Sequence, residues 1–200
     1  MADLAAAVAQ ITGEAARMAM ARWRTDFAAW EKDGGSPVSE VDLEVDRMLR
    51  ARLSALLPDA GWLSEETADN ADRLAHERVW VVDPIDGTRD YIRGRPGWCV
   101  SVALVEGGRS VIGVLDAPAR NEIWTAVAGE GARRNGEPIA ASGRRSLTGA
   151  RVPADALLKA DRDTFVAVEK PNSIALRMAM VASGEADLVA TMRWLSLIHI

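Results

Sequence analysis

The segment Val79-Trp80-Val81-Val82-Asp83-Pro84-Ile85-Asp86-Gly87-Thr88 constrains this 200-residue chain more than any other. Its leading apolar run predicts a short buried strand ending at Asp83. The strand hands Asp83 and Asp86 to a turn shaped by Pro84 and Gly87. Such a turn aims two carboxylates at one point while backbone amides near Gly87 and Thr88 remain available to an anion. Oxygen-only ligands of this kind suit a hard cation such as Mg²⁺, which keeps waters and shares a phosphate. The same residues equally suit a plain Asx-type turn at a strand end, since Asp-Pro and Asp-Gly both favour one.

The flanking pattern places this turn in an α+β chain. Leu4, Val8, Ile11, Ala15 and Met18 recur at helical spacing and predict a helix from about Asp3 to Trp30. Asp33-Gly34-Gly35-Ser36-Pro37 breaks it. A second helix is expected from Ser39, as N-cap, to Leu57, with Val41, Val45, Met48, Leu49, Leu53 and Leu56 as its stripe. At roughly 100° per residue, Asp42 lies about 20° from both Leu49 and Leu53 around that axis. An unpaired carboxylate there is costly, so Asp42 requires a partner or a cation. Placement in the first helical turn, where it favours the helix dipole, is the plainer account.

Trp98–Val105 and Ser110–Leu115 predict a hairpin, and Glu122–Val127 a further strand. Gly129 to Gly136 reads as turns. The composition then shifts to Ser, Gly and Arg at 141–150, the expected border between a subdomain 1–140 and a subdomain 141–200. Strands are expected at Val152 and Thr164–Val168, and a helix from Asn172 or Ser173 to Ser183, closed by Gly184. Trp23, Trp30, Trp80, Trp98 and Trp124 fall on these elements and are expected in the core.

Charge excludes one class of partner. The balance of 24 basic and 29 acidic residues gives a net charge of −5 without any basic stripe, so a nucleic-acid polymer is not the expected partner. A small phosphorylated ligand must then be held by local donors or metal ions. Cys99 is the only cysteine, which points to a reducing, cytoplasmic setting and a small core residue. The N-terminus lacks a basic n-region, and no apolar run is long enough to span a membrane.

Glu65 and Glu66, in Gly61-Trp62-Leu63-Ser64-Glu65-Glu66-Thr67, supply two further acids behind a short apolar stretch. Alone, such a pair suits a solvated surface; with Asp83 and Asp86 it supplies enough carboxylates for a two-metal site. Ser64-Glu65-Glu66 and the string from Trp80 to Thr88 resemble the paired signatures of the inositol monophosphatase-like superfamily of magnesium-dependent phosphatases. The likeness extends to Ser36-Pro37-Val38 ahead of Asp42, to the Gly129–Ala132 turn with Asn135-Gly136, and to Ser173 through Asp187. Within that family, Lys170-Pro171-Asn172-Ser173-Ile174-Ala175-Leu176-Arg177 looks most like the bacterial 3'(2'),5'-bisphosphate nucleotidase branch.

The resemblance implies a layered α/β/α/β/α sandwich and a Mg²⁺-dependent phosphomonoesterase acting by two-metal water attack. It assigns Glu65, Asp83 and the carbonyl of Ile85 to a first magnesium ion, and Asp83 with Asp86 to a second. It gives Asp42 and Thr88 the orientation of the attacking water, and the amides of Gly87 and Thr88 the substrate phosphate. Glu66 stands behind these ligands or touches a third, weakly held ion. A homodimer is compatible with the family. Arg89, Arg93 and Arg95 directly follow the phosphate turn and suit either a second phosphate or the solvated surface.

One departure stands out. The family pattern follows the Ser173–Asp187 segment with a Trp-Asp pair whose Asp is a further metal ligand. This chain reads Met192-Arg193-Trp194-Leu195-Ser196-Leu197-Ile198-His199-Ile200, with no acid after Asp187. The expectation is a sandwich with its C-terminal part missing, and a second ion held weakly. The rival reading is a silent remnant that only binds metal or phosphate, or dimerises.

Overall fold

The computed structural model describes residues 1–32, 35–67 and 71–190. The first helix, α1 (Ala2–Arg22), buries Val8, Ile11, Ala15 and Ala19. Met18, expected on that stripe, is exposed. The helix also stops short of Trp30, because its last turn is claimed by tertiary contacts. The Ala19 carbonyl accepts from the Tyr91 hydroxyl at 2.7 Å, and the chain turns at Arg24 with φ 64°. Arg24 lies 4.0 Å over the Trp23 ring and donates to the Gly94 carbonyl at 2.8 Å.

Strands β1 (Ala29–Glu31) and β2 (Pro37–Ser39) form an antiparallel pair. Trp30 sits on β1 with 46% of its surface exposed, so it is not a core residue as expected. Helix α2 (Glu40–Leu56) begins with Ser39 as N-cap and ends against Leu57, in agreement with the periodicity. Val41, Val45, Leu49 and Leu53 of its stripe are fully buried and Met48 and Leu56 partly so; removing a leucine such as Leu49 from water stabilises the fold by about 1.5–3 kcal/mol.

Seven strands make the main sheet: β3 (Gly61–Ser64), β4 (Arg78–Asp86), β5 (Cys99–Glu106), β6 (Arg109–Ala117), β7 (Glu122–Val127), β8 (Gly131–Arg134) and β9 (Glu137–Pro138). They lie side by side in chain order; β3 and β4 run parallel and every later pair is antiparallel. Two details depart from the sequence reading. The turn-rich Gly129–Gly136 segment contains β8, since Gly131 to Arg134 pair with Val127 to Trp124. And β4 does not end at Asp83 but continues, with a register shift, to Asp86.

Side-chain alternation sorts the sheet's two faces. Val100, Val102 and Leu104 of β5 face α1 and α2, in one core with Trp80, Val82, Leu49 and Leu53. Cys99 faces the other way, in a second core with Trp124 and Leu176. Leu176 belongs to α4 (Ile174–Ala182), which Ser173 caps and Gly184 follows in the left-handed conformation with φ 73°. A parallel pair, β10 (Ala150–Pro153) and β11 (Phe165–Val168), lies between the sheet and α4 in sequence. Asp187 ties the chain after α4 to β10: its carboxylate accepts from Arg151 at 2.8 Å, and the partnership holds its carboxyl well below the usual range. The result is the expected layered α+β arrangement of helix pair, sheet, helix and second small sheet. The tail from Trp194, including His199, lies outside the described residues.

Candidate active site

Parallel pairing is what unites the acids. Ser64 lies opposite Val82, and the Glu65 amide donates to the Val82 carbonyl at 3.3 Å. The next residues, Glu65 and Asp83, therefore come side by side. Burial, then the charges of Asp86 and Glu65, push the Asp83 carboxyl well above its ordinary range. Pro84, which has no N–H to give the ladder, sits in the irregular stretch between Asp83 and Asp86. Gly87 then takes φ 95° and opens the short helix α3 (Thr88–Ile92).

Asp42 finds the partner its position requires. It is 1% exposed, and its carboxylate accepts from the Ser39 amide at 2.9 Å and from the Thr88 hydroxyl at 3.2 Å. Both sequence accounts of Asp42 hold together: it completes a capping box with Ser39 and reaches the site through Thr88. Thr88 Oγ1 also lies 3.0 Å from the Ile85 carbonyl. One hydroxyl proton cannot serve both acceptors fully, and the oxygen's lone pairs stay able to accept from a water.

Asp86 faces elsewhere. Its carboxylate accepts from the Ser173 hydroxyl at 2.6 Å and the Ala175 amide at 2.7 Å, at the start of α4. Ser173 also accepts from the Leu176 amide at 2.9 Å, and Cys99 Sγ lies 3.4 Å behind it. Burial raises the Asp86 carboxyl in spite of these donors. Burial likewise pushes the Cys99 thiol up, as befits a small core residue.

Lys32 is a component that sequence reasoning missed. Its ammonium donates to Glu66 at 2.7 Å and lies 3.7 Å from Glu65. Burial raises the Glu66 carboxyl to about 7 although Lys32 opposes the shift. Lys32 precedes the break at Ser36-Pro37 and stands more than thirty positions from either acid. Nothing in its local sequence announces the contact.

Beside these groups lies a cavity of about 350 Å³. Glu65, Asp86 and Thr88 line it together with Arg89, Lys170 and Arg177. Lys170 and Arg177 were legible only as wording within the α4 segment. The arginine cluster divides: Arg89 faces this cavity, whereas Arg93 and Arg95 line a neighbouring one.

Glu65 and Asp83 fit a single hard cation. They are adjacent and mutually repelling, Asp83 half-buried and Glu65 exposed, and an ammonium already lies beside Glu65. Among the described residues no three acidic, histidine or cysteine side chains converge closely enough to hold an ion by themselves. Mg²⁺ asks less, because one or two carboxylates, waters and a substrate phosphate complete its shell. Asp86 is engaged by donors at the start of α4, yet its charge still acts on Asp83.

The profile of the inositol monophosphatase family matches residues 1–197. A Nus factor SuhB from Xylella fastidiosa is 36% identical over 166 residues, covering 74% of this chain and 58% of that protein. A fructose-1,6-bisphosphatase/inositol-1-monophosphatase from Thermotoga maritima is 35% identical, covering 78% of this chain and 62% of its own length. The chain thus spans about three-fifths of these relatives. Among solved structures, an IMPase from Thermotoga maritima superposes with a TM-score of 0.86 at 29% identity, over 98% of this chain and 79% of that one. The profile match along nearly the whole chain and the shared fold lead to one conclusion: this chain belongs to the inositol monophosphatase family.

Proposed function

We propose that the site serves a magnesium-dependent phosphomonoesterase acting on a small phosphorylated substrate. The observation that carries this reading is the polarity of one cavity. Acidic Glu65, with Asp83 beside it, and basic Arg89, Lys170 and Arg177 border the same cavity, the mixture of charge that a metal-bound phosphate requires. Glu65, Asp83 and the Ile85 carbonyl would hold Mg²⁺, with Asp86 as ligand to a second ion and Glu66 beside a third. When bound, the cation supplies charge to the phosphoryl oxygens and acidifies a water.

The chain's own groups do the positioning. Thr88 donates to Asp42 and accepts from the water, which turns that water's lone pair toward phosphorus. The new bond joins the water oxygen to phosphorus while the ester P–O bond breaks, and the leaving alkoxide takes up a proton. The amides of Gly87 and Thr88 hold phosphoryl oxygens through the same step. Charge spread over the transition state makes such placement and neutralisation the bulk of catalysis. Cys99 is buried at the base of the site and takes no part.

For substrate, 3'-phosphoadenosine 5'-phosphate ranks first, on the wording of Lys170 to Arg177. Inositol phosphates rank second, and sugar or histidinol phosphates third; a histidinol-phosphatase from Chlorobaculum parvum is 36% identical over 119 residues. A cytoplasmic setting accords with the buried free thiol. Among the described residues no helix is long and apolar enough to cross a membrane.

Release of phosphate from these substrates, with and without Mg²⁺, tests the reading, and Mg²⁺-independent or absent release would sink it. Thr88→Ala should lower kcat about 100-fold while changing KM little, because the lost group orients the water. Asp42→Ala should do the same, and the double variant should be little worse than either alone. Fully additive losses would show that the two do not act as a unit.

A further inference from the structure

Helix α2 carries a second buried carboxylate one turn beyond Asp42. Asp46 stands four positions on, so the two side chains emerge from the same face of the helix. Asp46 is only 6% exposed, and a carboxylate so buried needs donors. It has two: the Ser64 hydroxyl at 2.5 Å and the Thr67 hydroxyl at 3.0 Å, one on each carboxylate oxygen. Ser64 is itself buried, and its oxygen accepts in turn from the Glu66 amide at 3.2 Å.

These two donors bracket Glu65 and Glu66 in the chain. Strand β3 ends at Ser64, and beyond it the ladder with β4 supplies one bond, from the Glu65 amide to the Val82 carbonyl. A long side chain just past a strand end is costly to order, because both its rotamers and its backbone must be fixed. Asp46 fixes the backbone part in advance by tying both ends of the segment to a packed helix. One turn earlier, Asp42 takes the Thr88 hydroxyl from the turn after β4. The same helix face thus grips both halves of the site.

We infer that Asp46 is a positioning residue for Glu65: from the buried face of α2 it holds the Ser64–Thr67 segment so that Glu65 meets Asp83 at the spacing a cation needs. The inference rests on the phosphatase reading and deepens it. Asp46 acts through Ser64 and Thr67 and is not itself a ligand.

The test is Mn²⁺ titration, read by loss of the free-ion paramagnetic resonance signal, with amide hydrogen exchange of the metal-free protein beside it. Asp46→Asn should weaken Mn²⁺ binding about 10–100-fold, the usual effect of losing a group that orients a metal's ligands. Exchange at Glu66 should quicken while β5 and β6 keep wild-type protection. Ser64→Ala alters no charge and should weaken binding by a similar factor, with the double variant little worse than either alone. Thr67→Ala, at a half-buried position, should cost about tenfold, the worth of one hydrogen bond to a charged acceptor. If Asp46→Asn does not fold, Ser64→Ala and Thr67→Ala decide. Wild-type affinity in the folded variants makes the network merely structural and overturns the inference, and fully additive losses overturn it too, by showing that Asp46 acts through its charge alone. Both results leave the phosphatase reading standing. No Mn²⁺ binding by the wild type overturns both.

Discussion

Asp83→Asn is expected to abolish Mg²⁺-dependent phosphate release while leaving the protein folded. The carboxylate stands on β4 where its register shifts, beside Glu65, and is the one group assigned to both ions. Groups that merely support a metal's ligands cost about 10–100-fold when removed, so a direct ligand should cost at least the upper end of that range. Stability should move the other way. Asp83 is held among Asp86, Glu65 and Asp42, and its charge is unfavourable in the folded state without a cation. The neutral amide relieves that repulsion, so the thermal midpoint in metal-free buffer should hold or rise. A variant with wild-type turnover, or one that unfolds, would place Asp83 in a structural role instead.

Gly87→Ala should be the most damaging single-methyl change in the site. A Cβ at this position would lie 2.6 Å from the Gly97 carbonyl and 2.8 Å from the Ser173 amide nitrogen, both backbone atoms that cannot swing aside. The left-handed φ of 95° adds strain for any residue with a side chain. The expected result is a loss of about 3 kcal/mol or more, together with loss of activity, because Ser173 and α4 move with the clash. Gly107→Ala supplies the control. Gly107 also has positive φ, at 55°, but nothing lies within 4 Å of its Cβ, so only the strain of about 1 kcal/mol should appear. Equal costs at the two positions, measured by denaturant melts, would show that close packing at Gly87 is unimportant.

Local signals made much of this legible in advance. The period of α2 and its N-cap fixed Asp42 against the core, where a buried carboxylate needs a partner; the family resemblance named Thr88, and Thr88 makes the contact. The hairpin of β5 and β6 followed from alternation around a Glu-Gly-Gly-Arg turn. Failures came where distant residues overrule local preference. Tyr91 takes a carbonyl from the end of α1, which no helical pattern foretells. The register shift in β4 lets Asp83 and Asp86 belong to one strand yet face different partners. Lys32 matters only through an ion pair across the fold. The arginines after the phosphate turn formed one cluster in sequence and two in space, because α3 carries Arg89 into the first cavity and the following loop carries Arg93 and Arg95 into the next.

The central claim is that Glu65 and Asp83 together hold a divalent cation beside the cavity that Glu65 and Thr88 line. Titration of Mn²⁺ into the protein, followed by the loss of the free aqueous Mn²⁺ paramagnetic resonance signal, measures it without requiring turnover. Wild type should bind Mn²⁺ saturably, Mg²⁺ should displace it, and Asp83→Asn and Glu65→Gln should each weaken binding about 100-fold or more. Binding that survives in both variants, or none in the wild type, would contradict the account.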